Sequence, residues 1–115
     1  MSETIFSKII RKEIPANIVF ENETVLAFKD INPQAPVHVL IIPKEEIATT
    51  REISGQFHAK LLGELFDAAN EIARKFGIEK EGFRIVINCG ENGGQEVYHL
   101  HMHLLGGRKL NWPPG

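Results

Sequence analysis

The stretch Val97–Leu105 has the sequence VYHLHMHLL and holds three of the five histidines at a spacing of two residues. Successive side chains of a β-strand point to opposite faces, so a strand here would place His99, His101 and His103 on one side of a sheet and the intervening apolar residues in the core. Imidazole has an ordinary pKa of about 6.5 and can act as nucleophile, acid, base or metal ligand near neutral pH. The pattern predicts a strand that carries a functional surface; the alternative is the solvated polar face of an amphipathic strand.

Length and composition indicate one soluble globular domain. The 115 residues allow one hydrophobic core but not two, and we expect a single domain over residues 1–115. A hydrophobic content of 43% and a charged content of 24% are typical of globular proteins. The net charge of -2 provides no basic surface, so we do not expect a nucleic acid partner.

Cysteine usage and hydropathy suggest the compartment. Cys89 is the single cysteine, so no intramolecular disulfide can form, which suits a reducing environment. The first residues lack the basic and apolar regions of a signal peptide, and no apolar run approaches the ~20 residues of a membrane span. We expect a cytoplasmic protein with no membrane partner.

Hydrophobic periodicity and breaker residues divide the chain into short elements. Apolar residues at positions 5, 6, 9 and 10 have helical spacing, and Pro15 must end that helix. From Ser54 to Phe76 apolar residues recur every three or four positions, which predicts a long amphipathic helix capped by Ser54 and ended by Gly77. We expect an α+β fold with about five antiparallel strands, one long helix and a short N-terminal helix. The predicted strands are 18–20, 25–28, 37–42, 83–88 and the histidine stretch, with a proline-rich loop at 30–36 and a glycine-rich turn at 90–95.

The other two histidines differ in their surroundings. His38 lies in the apolar run of a predicted buried strand, where a histidine is usually a hydrogen-bonded structural residue. Because the triplet needs partners, we assign His38 to the site. His58 follows Phe57 on the long helix, where we expect it to face solvent, and we assign it no chemistry.

Three histidines on one face suit a zinc site or a phosphoryl-transfer site. The triplet would span about 13 Å along an extended strand, whereas zinc lies about 2.0–2.1 Å from its nitrogen ligands, so all three cannot readily share one ion. Two of them with His38 could still bind a metal. The glycine-rich turn favours an anion, since its backbone amides can converge on a phosphate, although Asn92-Gly93 is also an ordinary hairpin signal. We predict an anion pocket with a nucleophile, and no metal or other cofactor.

The histidine stretch resembles the signature of the histidine triad (HIT) superfamily, and the chain is most similar to its Hint branch. The resemblance covers nearly the whole chain in the same order. The further segments that carry it are Thr4-Ile5-Phe6, Ile9–Pro15, Phe28–Ile31, Pro33–Pro36, Gly93–Gln95 and Trp112–Gly115.

The resemblance implies a homodimer with a HIT-like fold and a continuous sheet, acting as a purine nucleoside phosphoramidase. Such enzymes hydrolyse the P–N bond of nucleoside 5′-phosphoramidates, for example adenosine 5′-phosphoramidate or aminoacyl-AMP and lysyl-AMP compounds. By similarity, His101 is the nucleophile that forms a nucleotidyl-histidine intermediate. His103 would contact the phosphate, and His99 and His38 would orient the nucleophile through its other nitrogen.

The resemblance also implies which residues bind the purine nucleoside monophosphate. Asp30 would accept hydrogen bonds from both ribose hydroxyls, although a turn residue before the prolines is the alternative. Donors to the phosphoryl oxygens would come from Asn88 and from the amides around Gly94 and Gln95. The base would lie in an apolar slot, although core packing is the alternative for each of its residues: Ile5, Phe6, Ile9, Phe28 and Ile31.

Two residues are expected to set the leaving-group specificity. Many relatives have serine or threonine where this chain has Glu96, and an ionised glutamate accepts a hydrogen bond from an amine but cannot donate one. We therefore expect a preference for basic amines. Trp112 would reach the partner subunit's site if the resemblance holds for the tail, and a frayed tail is the alternative.

Three other functions remain open at this level. A purine nucleotide-binding or adaptor protein would hydrolyse its ligand only incidentally, so its function would survive loss of His101. A dinucleoside polyphosphate hydrolase would use the same nucleophile. A metal-binding protein would retain stoichiometric zinc on dialysis.

Overall fold

The computed structural model describes residues 3–115, and the predicted domain of 1–115 extends beyond them by residues 1 and 2. The described residues form one five-stranded antiparallel sheet. With the strands numbered along the chain, their order in the sheet is β1-β2-β3-β5-β4. The predicted α+β class is confirmed. The elements are α1 (Ile5–Ile10), β1 (Ile18–Glu21), β2 (Val25–Lys29), β3 (Val37–Pro43), a 3-10 turn (Thr50–Glu52), α2 (Gly55–Lys75), β4 (Phe83–Val86), α3 (Gly90–Gly93) and β5 (Met102–Gly106).

The long helix α2 covers one face of the sheet. Ser54 caps it by accepting a hydrogen bond from the Phe57 amide, and Gly77 follows its end with φ +73°. Its apolar stripe packs on the odd-numbered residues of β2 and β3 and the even-numbered residues of β5, in a cluster whose most buried members expose 0–2% of their surface. The strand members of this cluster are Val25, Ala27, Val39, Ile41, Met102 and Leu104.

The short helix α1 packs near the opposite face. Thr4 and Ser7 form a reciprocal capping box at its start, and it ends at Ile10, well before Pro15. Phe6 and Ile9 pack with the even-numbered residues of β2 and β3. Since both of its faces are covered, β3 reads as a continuous apolar run rather than an alternating one. The strand residues on this face are Leu26, Phe28, Leu40 and Ile42.

The histidine stretch is only partly a strand. Met102 to Leu105 lie in β5, as predicted, but the prediction is wrong for residues 97–101, which form no regular element. The physical reason is a hydrogen bond outside the sheet. The Leu100 amide donates to the Ile47 carbonyl at 2.6 Å, in the loop after β3, instead of pairing with a strand. The glycine-rich turn likewise contains the single helical turn α3, and β4 ends at Val86 rather than Asn88.

His58 is not solvent-facing, in contrast to the prediction. Its side chain is 16% exposed, and its Nδ1 accepts a hydrogen bond from the Ser54 amide at 3.0 Å. The ring thus satisfies an amide at the start of α2. Among residues 3–115, no helix combines the length and the apolar character needed to cross a membrane.

Candidate active site

A cleft of about 540 Å³ opens on the face of the sheet near α1. Its walls come from α1, from the loop after β2, and from the segment between α3 and β5. This volume lies within the range of ligand sites. The predicted site residues that line it are Ile5, Phe6, Asp30, Ile31, His38, Asn88, Gly94, Glu96, His101 and His103.

The remaining predicted residues do not line the cleft. Ile9 and Phe28 are each 5% exposed and lie in the apolar cluster with Phe6. His99 and Gln95 are buried, at 2% and 6% exposure. Trp112 is 80% exposed and lies over the Arg84 guanidinium, 6.0 Å from it.

Hydrogen bonding fixes the tautomer of His101. Its Nδ1 lies 2.8 Å from the backbone carbonyl oxygen of His99, which can only accept, so Nδ1 carries the proton and Nε2 keeps its lone pair. The Phe6 ring meets the imidazole edge to face, at 5.1 Å between centroids. The group that orients the His101 ring is therefore the backbone of residue 99, whereas the resemblance suggested the rings of His99 and His38. The His99 ring itself lies 2.7 Å from the Pro43 carbonyl and donates to it.

A second hydrogen-bonded chain fixes His103. The Gln34 amide donates to His38 Nδ1 at 3.0 Å, so the proton of a neutral His38 ring is on Nε2. That Nε2 lies 2.9 Å from His103 Nδ1 and donates to it. His103 Nδ1 is then an acceptor, and His103 carries its own proton on Nε2. His38 thus orients His103 rather than His101, which also differs from the expectation.

The site keeps its histidines neutral at pH 7. Burial is the main cause that lowers the pKa of His38, His99 and His101. For His103, burial together with the neighbouring His101 and His38 lowers the pKa to about 4, against the opposing charge of Asp30. A neutral His101 offers a lone pair, and a neutral His103 still offers an N–H donor.

The amides predicted to bind phosphate are partly used within the protein. The Gly94 amide donates to the Glu91 carbonyl and the Gln95 amide to the Gly90 carbonyl, each at 3.0 Å, closing α3. The next amide, of Glu96, donates to no backbone carbonyl in the described part of the chain. It belongs to a residue that lines the cleft. Glu96 N–H is therefore a backbone donor that can meet an anion there.

Asp30 lies at the edge of the histidine group. One carboxylate oxygen accepts from the Asn32 amide at 2.7 Å, and the other lies 3.4 Å from His38 Nε2. One atom each of Asp30, His38 and His103 fall within 4.8 Å of one another, a nitrogen and oxygen set that zinc accepts. A cation held by all three would have to replace the 2.9 Å bond between the two rings.

Two residues of this site were missed by sequence reasoning. The Gln34 amide fixes His38, and Arg108 Nη2 donates to the Gln34 carbonyl at 2.8 Å, which ties the proline-rich loop to the end of the sheet. These contacts are formed by backbone atoms and by residues 74 positions apart, so no local pattern indicates them.

Comparison with known proteins gives consistent matches over the whole chain. The family model of the HIT domain matches residues 11–110. The chain is 54% identical to the purine nucleoside phosphoramidase of Escherichia coli (94% of this chain, 90% of that protein) and 54% identical to adenylylsulfatase HINT1 of Arabidopsis thaliana (99% and 78%). It is 55% identical to the 14 kDa zinc-binding protein of Zea mays (99% and 89%).

The solved structures agree with these relatives. A HIT family hydrolase from Legionella pneumophila superposes with a TM-score of 0.95 at 49% identity, covering 98% of this chain and all of that one. A HIT family hydrolase from Clostridium thermocellum gives 0.92 at 50% identity, with 96% of each chain covered. Together with the histidine geometry, these matches show that the chain belongs to the HIT-domain family, in its Hint branch.

Proposed function

We propose that this chain is a purine nucleoside phosphoramidase that hydrolyses the P–N bond of nucleoside 5′-phosphoramidates. The observation that carries the proposal is the pair of fixed tautomers in the cleft: His101 with its Nε2 lone pair and His103 with its Nε2 proton. The E. coli relative with that name, at 54% identity, supports the same reaction. Adenosine 5′-phosphoramidate and lysyl-AMP represent the expected substrates.

The first step exchanges one bond to phosphorus for another. Nε2 of His101 attacks, the bond from Nε2 to phosphorus forms, the P–N bond to the amine breaks, and the amine leaves with a proton taken from solvent in the cleft. The His101 ring becomes cationic once it is bonded to phosphorus, which strengthens the donation of its Nδ1–H to the His99 carbonyl. A neutral imidazole needs no base before it attacks, so the lowered pKa of His101 favours this role.

The second step returns the enzyme to its starting state. Water attacks phosphorus and releases a proton to solvent, the bond to His101 breaks, and the nucleoside monophosphate leaves. In both steps negative charge grows on the phosphoryl oxygens, which preorganised donors stabilise. The His103 Nε2–H, the Glu96 amide and the Asn88 carboxamide lie along the cleft and supply those donors.

Nucleoside binding is assigned to the other end of the cleft. The Asp30 carboxylate accepts from the ribose hydroxyls, as its two oxygens suit a diol. Ile5, Phe6 and Ile31 surround the base, and Ile9 and Phe28 support them from the apolar cluster. Ile31 is 99% exposed and lines the cleft, so a purine bound there would cover it.

The experiment is to mix the protein with adenosine 5′-phosphoramidate, stop the reaction without acid, and analyse it by mass spectrometry. We expect AMP as product and a transient adenylyl adduct on the peptide that contains His101. His58, which lies on α2 outside the cleft, is the control histidine, and His58→Gln should leave the adduct in place. An adduct on any other histidine would refute the assignment of the nucleophile.

Two related functions are separated by similar measurements. A nucleotide-binding or adaptor role predicts that the cellular function survives His101→Ala although hydrolysis is lost, whereas the function of a phosphoramidase would be lost together with hydrolysis. A dinucleoside polyphosphate hydrolase would prefer a diadenosine polyphosphate over adenosine 5′-phosphoramidate when kcat/KM is compared for both. The phosphoramidase proposal requires the reverse order.

Zinc binding is a second candidate function, favoured by the proximity of Asp30, His38 and His103 and by the name of the Zea mays relative. Zinc should then bind with one equivalent per chain in a calorimetric titration, and His103→Gln should abolish the binding. Absence of binding to the wild-type protein would exclude this function. Hydrolysis that is unaffected by a chelator would separate it from the phosphoramidase.

We infer that the chain works as a homodimer in which β4 edges meet and form a continuous sheet. β4 is an edge strand, and Ile87 after it lines an apolar cavity with Leu62 of α2. Phe66, one helical turn from Leu62, is 44% exposed, which supports a covered apolar surface beside that edge. Light scattering should give a dimer for the wild-type protein, and Phe66→Glu should shift it toward monomer, while Phe57→Glu should not.

The proposed specificity residues are Glu96 and Trp112. Glu96 is exposed in the cleft, where its carboxylate can accept from a basic leaving amine. Glu96→Ser should therefore lower the preference for lysyl over simple alkyl phosphoramidates by about a few-fold, which is the effect expected when one exposed charge pair is lost. An unchanged ratio of kcat/KM for the two substrates would contradict the role.

The tail has an anchor of its own. Arg84 donates to the Asn111 carbonyl at 2.9 Å and lies beneath the Trp112 ring, which argues against a frayed end. Deletion of the residues after Lys109 should alter leaving-group preference more than the melting temperature, if Trp112 acts at the partner's site. Unchanged kinetics would contradict that role.

A cytoplasmic location is part of the proposal, with nucleic acids and membranes excluded as partners. Support comes from the free Cys89 thiol, which suits a reducing compartment, and from the net charge of -2. Fractionation of cells, with detection of the untagged protein, tests this location.

A further inference from the structure

Gln95 is a buried polar residue that does not line the cleft, although its chain neighbours Gly94 and Glu96 do. It is 6% exposed, and its carboxamide makes three hydrogen bonds. Oε1 accepts from the Gly90 amide at 3.0 Å, while Nε2 donates to the carbonyls of Ala48 at 2.8 Å and Val97 at 3.1 Å. The partners are backbone groups of known polarity, so the orientation of the amide is unambiguous.

These three bonds join separate parts of the chain. Gly90 begins α3, Val97 lies in the irregular segment that leads to the histidines, and Ala48 belongs to the loop after β3. The same loop also accepts the Leu100 amide, through the Ile47 carbonyl at 2.6 Å. Residues 95–100 are therefore fastened to one loop at both ends.

The segment needs such a fastening because regular structure does not hold it. Gly90 and Gly94, at the two ends of α3, both have left-handed φ angles, of +74° and +83°. Glycines offer little resistance to a change of angle at such positions. The Gln95 carboxamide follows directly after Gly94 and connects the start of α3, at Gly90, to Val97 beyond Glu96.

We infer that Gln95 is a positioning residue for the phosphate end of the cleft, acting through the Glu96 amide and the path of the chain into His101. The inference rests on the proposed function and deepens it: the substrate group that Gln95 serves is the phosphoryl group, while the nucleoside is recognised elsewhere. The sequence had suggested Gln95 as a direct phosphate ligand, but its amide and carboxamide are both used within the protein.

The test separates phosphate binding from nucleoside binding. Gln95→Met removes all three hydrogen bonds at similar volume, and Gln56→Met on the exposed surface of α2 is the matched control. AMP and adenosine are titrated separately, by calorimetry or NMR, against each folded protein. Because misplacement by about 1 Å can cost ~100-fold in rate, we expect kcat/KM for adenosine 5′-phosphoramidate to fall by 10- to 100-fold, on that order, in Gln95→Met.

The expected binding result is a selective one. AMP should bind Gln95→Met several-fold more weakly, whereas adenosine should bind both variants and the wild type equally. Equal AMP binding and equal kcat/KM would overturn the inference, and so would a parallel loss for AMP and adenosine, which would indicate a purely structural role.

A second variant covers the case in which Gln95→Met does not fold. Gln95→Glu keeps the shape and an acceptor for the Gly90 amide but, when ionised, cannot donate to Ala48 and Val97. The same selective loss is expected from it. If the wild-type protein proved unable to cleave the phosphoramidate, the proposed function would fail, but the comparison of AMP with adenosine would still decide the role of Gln95.

Discussion

The two ends of the cleft are built in different ways. At the end proposed to bind phosphate, His101 is 7% exposed, its ring is held by the His99 carbonyl and Phe6, and Gln95 holds the adjoining chain. At the base end, Ile31 is 99% exposed and Ile5 is 51% exposed. The groups that would perform chemistry are thus fixed before a ligand arrives, while the base would meet exposed apolar side chains.

This difference has an energetic meaning. Preorganised donors and nucleophiles lower the barrier because they need no reorganisation during the reaction. Exposed apolar groups contribute when a ligand removes them from water, at about 25 cal/mol per Å². Substitutions at the phosphate end should therefore act on kcat, and those at the base end on KM.

The largest effect is expected from His101→Ala. Loss of a nucleophile typically removes on the order of 10⁴- to 10⁶-fold of the rate, so kcat should fall by about that amount. AMP should still bind, since the groups around the ribose and base are unchanged. Stopped assays for kcat and calorimetry for AMP would show this, and a variant that kept wild-type turnover would place the nucleophile elsewhere.

A smaller but still large effect is expected from His38→Phe. Without the donor to its Nδ1, His103 can move its proton to that nitrogen and present a lone pair to the phosphate. Outer partners of this kind are worth about 10- to 100-fold, so kcat should fall within that range. His38→Gln, whose amide can also donate, is the control and should recover part of the rate. Nitrogen NMR of the His103 ring reports the tautomer directly.

The pH dependence should come from the phosphate end. Because burial lowers the His103 pKa to about 4 and those of His38, His99 and His101 below their ordinary value, kcat/KM should stay nearly constant as the pH falls through about 6.5, where an exposed histidine gains its proton. It should decline as the pH approaches 4. A rate that followed a pKa near 6.5 would show that the rings are not buried as described.

Stability should change over the same interval. Between about pH 6.5 and 4 the unfolded chain binds a proton on His103 and the folded chain does not, and the lowered pKa values of His38, His99 and His101 act in the same direction. Their contribution to the free energy of unfolding is therefore complete above about pH 6.5 and decreases as the pH falls toward 4. Urea denaturation at several pH values measures it, and His103→Asn should flatten the curve.

The smallest effect is expected at the base end. Ile31→Ala removes an exposed apolar group that a purine would cover, so KM for adenosine 5′-phosphoramidate should rise by a few-fold while kcat stays within about twofold. Ile18→Ala, on β1 outside the cleft, is the control. A large fall in kcat for Ile31→Ala would show that the two ends are not independent.

The sequence predicts the fold well where periodicity is long. The stripe of α2 and the apolar runs of β2 and β3 are confirmed within one or two residues. Alternation alone, however, does not distinguish a strand from an extended segment, and so the prediction of a strand was wrong at His99 and His101. The conformation of this segment is decided by the Leu100 amide, which donates a hydrogen bond to a loop that lies far away in the sequence.

The site is predictable in its members but less so in its contacts. Most residues suggested by the family resemblance line one cleft. The bonds that orient them involve main-chain atoms, such as the His99 carbonyl and the Gln34 amide, and every residue type has these atoms. A residue pattern therefore indicates which side chains meet, but the direction of a buried amide such as that of Gln95 depends on tertiary packing.

The bond from the His101 ring to the carbonyl of residue 99 spans only two positions of the chain. Its acceptor is a backbone carbonyl, which all twenty amino acids have, so a substitution of the side chain at position 99 keeps the acceptor for the His101 ring. The choice of Nε2 as the reactive nitrogen is thus set within three consecutive residues, while the position of the ring in the cleft depends also on Phe6.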